Sequence, residues 1–76
     1  MDCRDLALIT EMRRALADGT AKRRRIASGI RQVEMAAVLH VVQSTVSQWE
    51  TGKRTPDATC ALAYGRALAA AERQAA

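Results

Sequence analysis

The stretch Gln32-Val33-Glu34-Met35-Ala36-Ala37-Val38-Leu39-His40-Val41-Val42-Gln43-Ser44-Thr45-Val46-Ser47-Gln48-Trp49-Glu50-Thr51 decides how this chain is read. Its first part, Gln32 to Leu39, places Met35, Ala36, Leu39 and partly Val38 on one arc of a helix of about two turns, with Glu34 and Ala37 pointing outward. Its last part, Gln43 to about Thr51, sets Val46 and Trp49 three residues apart on one side. Gln43, Ser44, Ser47 and Gln48 fall within an arc of roughly 140° on the other. The spacing predicts two short helices joined by His40-Val41-Val42, the second carrying a row of exposed amides and hydroxyls.

Outward from this pair, Gly19, Gly29, Gly52 and Pro56 cut the chain into segments whose apolar spacing is helical, with no alternating run to suggest a strand. Leu8, Ile9, Met12, Ala15 and Leu16 recur at the spacing of one helix face and predict an amphipathic first helix stopped by Gly19. That face serves either as core or as a dimer contact. A short helix from Thr20 to Ser28 is expected next, with Thr20 as N-cap and Gly29 as its left-handed end. Its Lys22-Arg23-Arg24-Arg25 run spans roughly 300° of helix surface, so at least one of the four must lie along packed surface; Arg24 is the expected misfit. A last helix from about Ala58 to Arg73, opened by Pro56-Asp57, carries Ala61, Leu62, Gly65 and Leu68 on one face. The expected fold is all-α, a compact bundle of about five short helices. Residues 1–18 form an N-terminal amphipathic helix added to a domain at 19–76.

Composition narrows the function. The 76 residues, 8.3 kDa, are enough for one domain and leave little room for a large enzyme pocket. A hydrophobic fraction of 49% with 26% charged residues is that of a folded domain. No apolar run approaches the roughly 18 to 20 residues that cross a bilayer, and the acidic flank at Asp2 and Asp5 is unlike a secretion signal, so a cytoplasmic protein is expected. Both ends of the chain are charge-balanced. The whole net charge of +4 lies in residues 18–56, where Lys22, Arg23, Arg24, Arg25, Arg31, Lys53 and Arg54 face Asp18, Glu34 and Glu50. Such a basic centre suits a polyanion, either nucleic acid or acidic lipid. Cys3, Cys60 and the single His40 give neither a zinc spacing nor a disulfide framework, and no nucleophile, base and orienting group come together as a catalytic set. No cofactor or metal is implied.

Two short helices with polar, uncharged groups on the second have the pattern of a helix-turn-helix. Glutamine can pair bidentately with adenine in the major groove, and serine and threonine can bond several base edges or phosphates. With Trp49 and Tyr64 as the only aromatics, and Trp49 at a core position, a base-stacking platform for single strands is disfavoured. The 28 residues from Gly29 to Pro56 resemble the signature of the Cro/C1 (Xre) family of bacterial and phage DNA-binding regulators, with weaker similarity through Thr20–Ser28 and the last helix.

The resemblance implies a lambda-repressor-like domain that binds double-stranded DNA. Gln32 matches the glutamine that opens the family's first motif helix and bonds a phosphate. Met35, Ala36, Leu39, Val41, Val46 and Trp49 match the positions that lock the two helices. Gln43, Ser44 and Gln48 match the base-reading positions, with Thr45 and Ser47 nearby for base or phosphate. Lys53 and Arg54 match the turn that holds phosphate, so they are expected to position the domain, not to specify sequence. Arg31, Lys22 and Arg23 are further phosphate candidates, the alternative for the basic run being a solvated face.

Three positions depart from the family pattern. His40 stands where a turn glycine is usual, which puts a non-glycine residue near the left-handed region. Arg31 and Val42 stand where N-cap serine or threonine is common, and a missing cap costs about 1 kcal/mol. One recognition helix reads few base pairs, so a homodimer on a two-fold operator is expected, at least on DNA. At this length no ligand-sensing domain is expected, and the size resembles Cro-type repressors and the controller proteins of restriction systems. A rival reading is an antitoxin-type protein that binds a protein partner and uses the motif for autoregulation. A membrane-surface role is a third, and the polar Gln43–Gln48 face argues against it.

Overall fold

The computed structural model describes residues 1–75, and the side chains of residues 1–74. Five helices follow one another: α1 (Cys3–Asp18), α2 (Thr20–Ala27), α3 (Gln32–Leu39), α4 (Gln43–Glu50) and α5 (Ala58–Ala75). The described residues contain no strand. All five expected segments are helical, α3 with the expected limits.

Local chemistry sets most of the helix ends. The Asp2 carboxylate accepts the Asp5 backbone N–H at 2.9 Å and caps α1. Asp57 does the same for α5, accepting from the Cys60 N–H at 2.8 Å. Thr20 is not the N-cap of α2, contrary to the expectation. Gly19, at φ 87°, takes that position, and the Asp18 carboxylate reaches over it to accept the Thr20 N–H at 2.9 Å. Arg31 and Val42 lack side-chain caps, as expected. The Glu34 carboxylate takes up the Arg31 N–H at 2.8 Å, half of a capping box.

One core joins all five helices. Ile9, Met12, Ala15 and Leu16 of α1 are buried with Ala21, Met35, Ala36, Leu39, Val46, Trp49, Ala61, Tyr64 and Leu68. The apolar face of α1 is therefore core and is not free for a dimer contact. α1 packs along α5 and touches α2 and α4, while α3 packs on α4 and α5. Val38 departs from its expected, partly inward position and is 62% exposed. At about 100° per residue it lies some 60° outside Met35, beyond the arc that α4 and α5 cover.

The packed arginine of the basic run is Arg25, not Arg24. Arg25 lies one turn from Ala21, the residue that α2 turns fully into the core, and is itself buried. Arg24 stays at the rim of the bundle, where its guanidinium grips Glu72 through two hydrogen bonds of 2.7 and 2.8 Å.

α1 and α5 pack tightly at Gly65. A Cβ there would stand 2.7 Å from Met12 Cγ and 2.9 Å from Leu8 Cδ1. Overpacking costs about 1–3 kcal/mol, while removing a helical glycine returns about 1 kcal/mol. Gly65→Ala is thus expected to destabilise the domain by up to about 2 kcal/mol in urea unfolding, and an increase in stability would contradict this packing.

Candidate nucleic-acid interface

The α3–α4 pair is built around a left-handed residue. His40 adopts φ 58° and ψ 41°, as its place in the sequence requires. Val41 then donates its N–H back to the Ala36 carbonyl at 3.0 Å, the six-to-one bond of a Schellman end. Val41 packs against the core, Val42 is extended and exposed, and α4 starts at Gln43. Met35, Ala36 and Leu39 below the turn, with Val46 and Trp49 above it, bury the faces that the spacing assigned to them.

Beneath the outer face of α4 lies a charge that composition alone does not reveal as buried. Glu50, the last residue of α4, is only 6% exposed. Arg25 donates to it from Nε at 2.7 Å and from Nη2 at 3.0 Å. The Tyr64 hydroxyl donates at 2.8 Å and Gln32 Nε2 at 2.9 Å. Nη1 of Arg25 reaches the Ile30 carbonyl at 2.7 Å. No buried side-chain nitrogen or oxygen among the described residues lacks a partner.

These bonds decide the protonation state. Burial alone would raise the pKa of Glu50, but the donors from Arg25, Gln32 and Tyr64 outweigh it and hold the group below the usual carboxylate value. Burial also opposes the charge of Arg25, and Glu50 restores it. Burial, then the hydrogen bond to Glu50, pushes the Tyr64 phenol well up.

On the outer side, Gln43 and Ser44 are exposed, and Thr45, Ser47 and Gln48 are half-buried. The amide of Gln32, anchored on Glu50, turns its Oε1 toward Gln43 Nε2 at 3.4 Å. Arg54 Nη1 approaches Gln48 Oε1, also at 3.4 Å. Gln32 and Arg54 are thereby brought against the first and last turns of α4. Lys53 is exposed on the same loop, Arg31 is exposed and pairs with Glu34 at 3.5 Å, and Lys22 and Arg23 are exposed on α2 with no bond to α4. Arg25, Glu50 and Tyr64 went unrecognised in the sequence. The helical interval from Ala21 to Arg25 was the available signal for the first of them.

A basic face with uncharged hydrogen-bonding groups on the second helix of a helix-turn-helix defines a DNA-binding domain. The helix-turn-helix family model matches residues 22–69, and the chain belongs to this Cro/C1-type (Xre) family of DNA-binding regulators. The match runs from α2 into α5 and leaves α1 outside, although α1 fills the same core. Comparison with the curated proteins and with solved structures found no match.

The left-handed conformation costs an ordinary residue roughly 1–2 kcal/mol, so His40→Gly should raise stability by up to about 1 kcal/mol after the entropy of glycine is subtracted; a fall in melting temperature would contradict the strain. Glu50 is held below its unfolded value, so its contribution is full above about pH 4.5 and is lost as pH falls through the folded pKa. Tyr64 is shifted the other way, and stability should decline as pH rises past about 10, where the unfolded phenol ionises. Chemical denaturation across pH should show both flanks; a flat acid side would contradict the Glu50 network.

Proposed function

We propose that this protein is a transcriptional regulator that binds operator DNA sequence-specifically, inserting α4 into the major groove. The observation that carries this reading is the row Gln43, Ser44, Gln48, exposed to half-buried on a helix whose other side is fixed by Trp49, Val46 and the Glu50 network. Polar groups on a rigid support are what direct readout requires. Thr45 and Ser47 supply further contacts to bases or phosphates. Lys53, Gln32, Arg31, Lys22 and Arg23 bear on phosphates and set the register of the domain on the duplex.

A single α4 spans too few base pairs for useful specificity. The protein therefore acts as a homodimer on a two-fold site, its half-sites about 34 to 36 Å apart. It works as a Cro-like repressor in the cytoplasm of a bacterial cell or a phage-infected host. The absence of a helix long and apolar enough to cross a membrane among the described residues is compatible with that setting.

Base-reading and positioning residues differ in what their loss does. Gln43→Ala should relax preference at one base pair by about 1–3 kcal/mol and spare the others. Lys53→Ala should weaken all duplexes alike and reduce the slope of affinity against salt by about 1. Competition titrations over a panel of single-base variants read both. Equal losses on every duplex for Gln43→Ala would contradict the assigned role and favour a partner-dependent protein of the antitoxin type.

A further inference from the structure

The loop after α4 folds back onto the helix it leaves. Gly52, at φ 78°, reverses the chain, and the backbone N–H groups of Lys53 and Arg54 both donate to the Gln48 carbonyl, at 2.9 and 3.2 Å. The two side chains then differ. That of Lys53 makes no hydrogen bond among the described residues, whereas Arg54 Nη1 lies 3.4 Å from Gln48 Oε1. Arg24, Arg25, Arg31 and Arg66 each face a carboxylate. Arg54 has none within ion-pair distance among the described residues. What draws its guanidinium to the outer edge of α4 is the amide of Gln48, one turn beyond Ser44.

The chemistry of this pair is one-sided. A guanidinium donates and never accepts, so Gln48 turns Oε1 toward Arg54, and its Nε2 makes no hydrogen bond among the described residues. At 3.4 Å the contact is long, and it directs the guanidinium while leaving the rest of its fork free. The groups offered outward are all N–H donors. In the major groove guanine shows two acceptors, N7 and O6; adenine pairs one acceptor with a donor, thymine pairs one with a methyl group, and cytosine shows a donor. We infer that Arg54, steered by Gln48, reads a guanine in the operator and is a specificity-determining residue, not a phosphate contact. This assignment rests on the base-reading role of α4 proposed above, and it separates Arg54 from its neighbour Lys53.

The full-length chain and its Arg54→Lys and Arg54→Ala variants would each be selected against a randomised duplex pool at about 150 mM salt, where nonspecific binding is weak. Arg54 is exposed, so neither variant disturbs the core. Lysine keeps the charge and lacks the fork. The unsubstituted protein is expected to enrich a motif containing a guanine, and Arg54→Lys to lower preference for that guanine about tenfold with the other positions of the motif unchanged. A motif that keeps its guanine in Arg54→Lys, or an Arg54→Ala variant that binds every duplex more weakly with all base preferences intact, overturns the inference alone. No enriched motif for the unsubstituted protein overturns the base-reading function and this inference with it.

Discussion

The carboxylate of Glu50 is the point on which the interface depends. It ends α4 and is met by Arg25 from α2, Gln32 from α3 and Tyr64 from α5. Four helices converge on two oxygen atoms. A buried ion pair of this kind adds little net stability, because desolvating both charges offsets most of their attraction. Its effect is directional: the bidentate contact admits one geometry, and that geometry sets the rotation of α4 about its own axis. Leaving either charge unpartnered would cost about 3–5 kcal/mol, a large fraction of the stability of a small domain.

The same network links the interior to the surface. Gln32 is bonded inward to Glu50 and turns its other amide atom toward Gln43 at the start of α4. At the far end Gly52 returns the chain so that Arg54 meets Gln48. The polar row is supported from below by apolar packing, at one end by the Gln32 amide and at the other by the Arg54 guanidinium. Arg24, Arg25, Arg31 and Arg66 face carboxylates, and the exposed cations without such partners among the described residues include Lys22, Arg23, Lys53 and Arg54. The positive surface left for a polyanion is thus smaller than the residue count suggests.

The helices were legible because their signals are local. Apolar spacing placed Met35, Leu39, Val46 and Trp49 correctly, and Gly19, Gly29 and His40 all take the left-handed conformations their positions required. What the sequence concealed depends on tertiary partners. Within a run of four basic residues, the helical interval from Ala21 points to Arg25 as the packed one, but no local feature identifies the buried glutamate it faces. Arg25 is chosen because α2 presents it, with Ala21, to a carboxylate 25 residues further on. Val38 departs from its expected position for a related reason: its helix face is apolar by residue type, but it stands at the open edge of the bundle and stays exposed. Thr20 lost the cap position because Asp18, two residues away, reaches its N–H first.

Sequence-dependent binding by the intact protein is the most direct test of the central claim. Fluorescence anisotropy at about 150 mM salt would compare duplex from the region upstream of its own gene with the same composition shuffled. Binding to the upstream duplex should be tighter by at least about a thousandfold for a dimer on its full operator. Equal, weak binding to both would contradict it.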